Sequence, residues 1–236
     1  MEISKGIEII DLGLYLTKYK TLVLADTHLG FEESLNKNGV FIPRFHIKDL
    51  TERLEKILKN LEIDKIIING DIKHEFKGIS EQEWRNTIQI IDLLKQKCKE
   101  LILIRGNHDK ILNIIAAKKE LKIADQIVID DILITHGHKM LKIPTSVKKI
   151  IIGHEHPAVG LHEGARIETF KCFLKGKFNG KLLIVMPSLN LVTEGTDVTK
   201  EKLLSPFLQQ DLNNFEAFVV ADKVYYFGKL KGLENE

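Results

Sequence analysis

The most constraining feature of this chain is a recurrence in which an aliphatic run stops and histidine and carboxylate residues follow at once. Five short stretches, Asp26-Thr27-His28, Gly70-Asp71-Ile72-Lys73-His74, Gly106-Asn107-His108-Asp109, Thr135-His136-Gly137-His138 and Gly153-His154-Glu155-His156, hold seven of the nine histidines. Four of the five follow an aliphatic run that reads as a buried strand. Layered α/β proteins place their chemistry on loops leaving the carboxyl ends of sheet strands, so these residues are expected to converge there. Neutral imidazole and ionised carboxylate hold divalent transition metals, and the set reads as a site for two such ions.

Strand-like runs lie at 7–10, 21–25, 65–68, 101–104, 127–129, 132–134 and 150–152. Between them, residues 46–61 carry Ile47, Leu50, Leu54, Ile57, Leu58 and Leu61 at the three-and-four spacing of an amphipathic helix. Residues 80–97 repeat it with Trp84, Ile88, Ile91 and Leu94, and Ser80 with Glu83 fits a capping box. Strand alternating with helix predicts a sheet covered by helices. After Pro157 the texture changes: 166–174 and 181–186 read as strands joined through Asn179-Gly180, a strong hairpin signal. A second hairpin, 217–221 with 224–228, turns at Asp222-Lys223. The weakly periodic stretch 187–215 between them is a candidate lid or capping loop in what reads as a single domain over 1–236.

A 44% hydrophobic content supports one full core, and a net charge of +2 demands neither a nucleic acid nor a membrane as partner. Cys98 and Cys172 are too few for a disulfide framework. The first 16 residues interleave Glu2, Lys5, Glu8 and Asp11 with the aliphatics, and no apolar run approaches the ~20 residues of a membrane span. A soluble protein of the reducing cytoplasm is the expectation.

Within the stretches, Asp26 and His28 lie two apart just past a strand, so both side chains can point the same way and share one ion. Gly70 lets the backbone turn so that Asp71 projects over the sheet edge, where its two oxygens can bridge two cations. Asn107 offers a neutral amide oxygen, which turns adjacent His108 toward substrate. His154 and His156 can address two neighbouring ions, and His136 completes the second. His138 either orients a ligand, contacts phosphate or ends a turn. His46, on a helix, and His162, in a loop, read as packing or surface residues.

These residues resemble the calcineurin-like metallophosphoesterase superfamily, whose pattern is Asp-x-His, Gly-Asp, Gly-Asn-His-Asp or Gly-Asn-His-Glu, a later His, and Gly-His-x-His; the match spans about residues 20–160. The resemblance implies an α/β (α+β) fold, a four-layer αββα sandwich of two mixed β-sheets flanked by helices. It assigns Asp26, His28, Asp71 and His156 to one ion and Asp71, Asn107, His136 and His154 to the other, with Asp71 as the bridge. Manganese is the expected metal by resemblance, while Fe²⁺, Zn²⁺, Co²⁺ and Ni²⁺ suit the same donors.

Protein phosphatases of the superfamily carry Gly-Asp-x-x-Asp-Arg-Gly, from which Gly70-Asp71-Ile72-Lys73-His74-Glu75 departs. His74 and Ala25-Asp26-Thr27-His28-Leu29-Gly30 are similar instead to the nuclease subunits of double-strand-break repair complexes. Cys172-Phe173-Leu174-Lys175-Gly176 and Gly195-Thr196-Asp197-Val198 resemble compact archaeal phosphoesterases and the bacterial ligase-associated phosphoesterase. The expected activity is therefore phosphodiester hydrolysis, with DNA as substrate, by a hydroxide bridging two ions roughly 3.5–4 Å apart. His108 would protonate the leaving oxygen or bind the phosphate charge, Asp109 would orient its imidazole, and His74 would serve either purpose.

Lys139, Lys142, Lys148, Lys149, Lys171, Lys175, Lys177 and Lys181 either contact a nucleic-acid backbone or solvate surface strands. Two alternatives stand beside DNA cleavage: a phosphodiesterase or phosphatase for small nucleotides, and a noncatalytic scaffold of the same fold. The complete ligand set counts against the scaffold.

Overall fold

A computed structural model of the protein describes residues 1–42, 46–75, 78–164 and 166–233. The first sheet runs in the spatial order β1 (Glu2–Ser4), β2 (Ile7–Ile10), β3 (Gly13–Leu16), β4 (Thr21–Leu24), β5 (Lys65–Asn69), β6 (Glu100–Ile104) and β7 (Lys122–Ala124). It is mixed: β1 to β4 pair antiparallel, β4 to β7 parallel. The parallel half is connected by α1 (Phe31–Lys37), α2 (His46–Leu58), α3 (Glu81–Lys95) and α4 (Leu112–Lys119).

The second sheet comprises β8 (Gln126–Ile129), β9 (Ile132–Thr135), β10 (Lys149–Ile152), β11 (Pro157–Glu163), β12 (Arg166–Phe178), β13 (Lys181–Val185), β14 (Thr196–Asp197), β15 (Glu216–Val220) and β16 (Val224–Lys229). Its path is β14-β11-β12-β13-β10-β9-β8, with β15 on β12 and β16 on β15. In β10, β12 and β13 alternate residues point to opposite faces. Ile151, Phe173 and Ile184 enter the core shared with the first sheet and with Leu50, Leu54, Ile90 and Ile91 of the helices. Ile150, Ile152, Cys172, Leu174, Leu183 and Val185 enter a second core on the outer face. Each such aliphatic side chain contributes about 1.5–3 kcal/mol when fully buried, so a one-residue slip of any of these strands would forfeit both cores at once.

The outer layer over the second sheet is thin. It is built from Phe207 and Leu208 of a 3-10 turn, Leu212 and Phe215, and Leu230 of the one-turn helix α5 (Leu230–Leu233). Thus the stretch 187–215, read from sequence as a candidate lid, contributes Leu189 to the shared core and Phe207, Leu208 and Phe215 to the outer one.

Local signals explain the element ends. Asn179 and Gly180 have φ of 48° and 77°, as a two-residue hairpin turn between Phe178 and Lys181 requires. The helix expected over 46–61 stops at Leu58, with Asn60 left-handed just beyond at φ 66°. The strand expected over 166–174 continues to Phe178 because residues 174–178 pair with β13 on one edge, while 172–175 pair with β15 on the other. His162, expected in a loop, lies in β11. Among the described residues, no helix is long and apolar enough to cross a membrane.

Candidate metal centre

The carboxyl ends of both sheets meet at one place. Asp26 and His28 follow β4, Asp71 follows β5, and Asn107 and His108 follow β6; from the second sheet, His136 follows β9, and His154 and His156 follow β10. Backbone hydrogen bonds tie these loops together: Asp26 N–H donates to Gly70 O (3.2 Å), His28 N–H to Asp71 O (3.0 Å) and Gly153 N–H to His136 O (2.9 Å). Asn69 Nδ2 donates across the sheets to Thr135 O at 3.0 Å.

Five of the expected ligands, Asp26, His28, Asp71, His154 and His156, occupy the left-handed region with φ between 43° and 69°. Such conformations cost about 1–3 kcal/mol apiece and persist only where the surroundings over-determine them. Close packing does so here. A Cβ on Gly106 would lie 2.0 Å from Asp71 Oδ1, and one on Gly70 would lie 2.2 Å from His136 Nδ1. Glycine is demanded at both positions by the approach of a ligand.

Each carboxylate divides its oxygens between two tasks. Asp26 Oδ2 accepts the His154 N–H at 3.0 Å, which leaves Oδ1 buried without a hydrogen-bond partner among the described residues, 3.5 Å from both His136 Nδ1 and His156 Nε2. Asp71 Oδ1 accepts the His108 N–H at 2.9 Å, and its Oδ2 lies 3.3 Å from His136 Nε2, 3.8 Å from His28 Nε2 and 3.9 Å from His108 Nε2. His136 Nδ1 donates to Asn69 O at 3.1 Å, because a carbonyl oxygen only accepts, which turns Nε2 toward Asp71 and toward Asn107 Oδ1 at 3.1 Å.

Two clusters of ligand atoms result, Asp26 with His28 and His156, and Asp71 with His136 and His154, the atoms of each lying within 4.8 Å of one another. A third, His28, His74 and His108, adjoins the first. An acceptor-rich buried site with an unpartnered carboxylate oxygen and mixed N/O donors, lacking thiolate, fits divalent transition ions.

The electrostatics agree. Burial opposes ionisation of Asp26 and Asp71, but the adjacent His136, with His156 beside Asp26, outweighs it and holds both carboxyls below the usual carboxylate range. Burial depresses His28 to about 3 and His154 to about 4, which keeps their nitrogens neutral and able to ligate. His136 shows the opposite balance: burial disfavours its charge, yet Asp26 and Asp71 raise it to about 9. The protein groups alone thus demand positive charge between these carboxylates, which bound cations would supply.

The remaining candidates are placed as follows. His108 and His74 stand together on the first cluster's flank, ring centroids 5.4 Å apart, with His108 Nδ1 on the His74 carbonyl oxygen. Burial lowers His74 to about 4. Asp109 was expected to orient the His108 ring, but its Oδ2 accepts instead from the backbone N–H groups of Asp71 (2.8 Å) and Gly106 (2.9 Å). Burial and the Asp71 charge push its carboxyl up to about 7. Asp109 therefore buttresses the turn beneath Asp71. His138 lies 5.1 Å from the His136 ring and 6.0 Å from that of His154, and burial depresses it to about 4. His46 is buried, accepting from Leu191 N–H at 3.4 Å.

Sequence reasoning missed three supporting groups. Asn69 sets the His136 ring from the last position of a strand. Glu155, read only as a spacer between ligands, is buried and accepts from Leu204 N–H (2.9 Å) and Ser205 N–H (2.7 Å). Lys171, read as a surface lysine, is buried and donates to Ser188 Oγ (3.0 Å) and Thr193 O (2.7 Å). Its flanks in the alternating strand 166–174 were the available signal for burial. Other members of the basic stretches also have internal partners: Lys139 faces Asp125, Lys149 faces Asp131, Lys175 faces Glu216, and Lys181 donates to Val147 O.

Residues 19–174 match the family model described as calcineurin-like phosphoesterase. The structure is similar to that of nuclease MPE from Pseudomonas putida, with 18% sequence identity, 93% of each chain covered and a TM-score of 0.64. A protein of unknown function from Aquifex aeolicus shares 25% identity over 58% of this chain and 78% of its own, with a TM-score of 0.36. Vps29 from Chaetomium thermophilum shares 13% over 85% of this chain and 81% of its own, with a TM-score of 0.39. No curated protein sequence matches the chain.

Proposed function

The chain belongs to the calcineurin-like phosphoesterase family, and on that premise we propose that it is a dinuclear-metal phosphodiesterase whose substrate is DNA. The observation that carries this reading is the position of Asp71 Oδ2, within 3.9 Å of imidazole nitrogens of His136, His28 and His108. One oxygen thus stands between two ligand clusters and beside a histidine outside both. Asp26, His28, Asp71 and His156 would hold one cation, and Asp71, Asn107, His136 and His154 the other. Manganese is the first ion to test. Bound there, divalent ions supply Lewis acidity toward phosphoryl oxygen and acidify water toward neutral pH.

The chain's own residues supply the rest. His108 keeps a hydrogen on Nδ1, against the His74 carbonyl, so Nε2 is the nitrogen that faces a bound phosphodiester; as the imidazolium it gives its Nε2 proton to the leaving oxygen and returns to the neutral Nδ1–H form. His74, neutral through burial and packed against Phe31 at 4.4 Å between ring centroids, donates a hydrogen bond to a phosphate oxygen. Asp109 and Gly106 hold the Asp71 turn rigid while this occurs.

DNA is preferred because His74 follows Asp71 at the spacing of the repair nucleases and because the nuclease MPE of P. putida shares this fold. One observation favours small nucleotides instead: five of the eight lysines in the basic stretches have internal partners, leaving Lys142, Lys148 and Lys177 exposed for a long phosphate backbone. A metal-supplemented panel of bis(p-nitrophenyl) phosphate, single-stranded DNA, double-stranded DNA and cyclic dinucleotides, with Asp71→Asn as control, separates the two. Cleavage of nucleotides with all DNA left intact would overturn the DNA assignment. A cytoplasmic setting is supported by two free cysteines, of which Cys172 is buried with its thiol pushed up by burial and so kept unreactive.

A further inference from the structure

On the His74 side of the centre lies a buried carboxylate that the reaction as described does not use. Glu83 is the third residue of α3 and is fully buried. Ser80 caps the helix, accepting the Glu83 N–H at 3.0 Å, and a capping box would turn the Glu83 carboxylate back onto the Ser80 N–H. The carboxylate is turned that way, but its Oε1 also accepts the N–H of His74 at 2.9 Å and of Glu75 at 3.0 Å. Lys73, equally buried, places its Nζ on the Glu75 carbonyl oxygen and its charge beside Glu83. The first motif closes on the same group: Gly30 has φ +90°, and a Cβ there would lie 2.9 Å from Glu83 Cγ.

The turn so held is the one that presents the His74 carbonyl to His108 Nδ1. A carbonyl oxygen has no proton to give, so Nδ1 carries the hydrogen and Nε2, 3.9 Å from Asp71 Oδ2, faces the centre.

We propose that Glu83 is a positioning residue of the hydrolytic site: by holding the His74–Glu75 turn it keeps His108 in the Nδ1–H tautomer, and so selects Nε2 as the nitrogen that exchanges a proton with substrate. The proposal rests on the role given to His108 above. What the turn requires is an oxygen acceptor in this place, which glutamine also provides, whereas alanine leaves the half-buried Glu75 N–H without this acceptor and the His74 N–H on Leu29 O alone, at 2.9 Å.

The test is ¹H–¹⁵N NMR of the imidazole side chains in zinc-loaded protein, His108→Gln serving to assign the signal. It is combined with zinc content and with kcat and KM for bis(p-nitrophenyl) phosphate. Wild-type His108 is expected as the Nδ1–H tautomer. Glu83→Ala is expected to keep its zinc, to lose the single tautomer, and to fall roughly 10- to 100-fold in kcat, part of what a positioned proton donor contributes, with KM changed less than about threefold. Glu83→Gln is expected to retain the tautomer and kcat within about threefold. An Nε2–H tautomer in wild-type protein would overturn the proposal without recourse to any variant. So would an unchanged tautomer and kcat in Glu83→Ala, or loss of the tautomer in a folded, zinc-loaded Glu83→Gln protein. A protein that hydrolyses no phosphodiester would sink the phosphodiesterase reading, while the tautomer still decides whether Glu83 positions His108.

Discussion

His28 Nε2 and His156 Nε2 face one another at 3.2 Å, each also directed at a carboxylate oxygen, Asp71 Oδ2 at 3.8 Å and Asp26 Oδ1 at 3.5 Å. At most one proton fits between two such nitrogens, whereas a cation satisfies both lone pairs and both carboxylates together. Divalent metal is therefore expected to stabilise the fold. At 100 times the dissociation constant the gain is about 2.7 kcal/mol, on the order of 5–10 °C in Tm for a chain of this size. Thermal unfolding with and without manganese, alongside elemental analysis, measures it. Two ions per chain and one in His156→Ala are expected; an unchanged Tm with no bound metal would remove the basis of the site.

Asp71 and His108 are expected to separate metal binding from turnover. Asp71→Asn withdraws the charge that the two proposed ion sites share and should lose metal and activity together. His108→Gln should keep its metal while kcat drops roughly 100- to 10,000-fold, the range for a general acid or base. An active, metal-loaded Asp71→Asn protein would refute the bridging assignment.

Gly106 makes a sharper steric test, because its substitution touches no ligand chemically. An alanine Cβ would lie 2.0 Å from Asp71 Oδ1 and 2.4 Å from the Asp71 nitrogen. Gly106→Ala should cost about 1–3 kcal/mol by overpacking and displace the bridging carboxylate. Denaturant midpoints and metal stoichiometry report the two effects; wild-type values for both would mean that the turn yields without consequence.

Lys171 predicts a pH dependence of stability. Burial disfavours its ammonium and lowers it from 10.5 to about 8, against the pull of Glu194. Between these values the unfolded chain holds the proton more tightly than the native one, so this group makes stability rise with pH through that window. Below pH 8 its contribution is flat, since both states are protonated. Urea unfolding of wild type and Lys171→Met from pH 7 to 10.5 should show a steeper rise in the wild type, and parallel curves would exclude the shift.

Much of the site was legible because its ligands sit within one or two residues of strand ends, where hydrophobic period and motif coincide. Asp26, His28, Asp71, Asn107, His136, His154 and His156 converge as the strand pattern implied, because the runs that precede them pair in parallel, β4 with β5, β5 with β6 and β9 with β10. The short elements were not legible. The strand Gly13–Leu16 and the helices Phe31–Lys37 and Leu112–Lys119 carry too few residues for a period to emerge, and Pro157–Glu163 is a strand through its pairing with β12.

What the sequence determined by itself is the chemistry of the centre: which side chains can ligate, that they stand at strand ends, and that strands alternating with helices build a helix-covered sheet, the second sheet being implied only by the family resemblance. What only the tertiary structure decided is the work of groups whose neighbours are distant in the chain. Asp109 supports the Asp71 turn and not the His108 ring, Lys171 is buried against the Ser188 hydroxyl and the Thr193 carbonyl, and Glu83 holds the turn behind His108. A ligand's identity is written in its own atoms, but the task of a buried carboxylate or ammonium depends on which donors and acceptors the fold brings to it, and those lie 9 residues away for Glu83 and His74, 17 for Lys171 and Ser188, and 38 for Asp109 and Asp71.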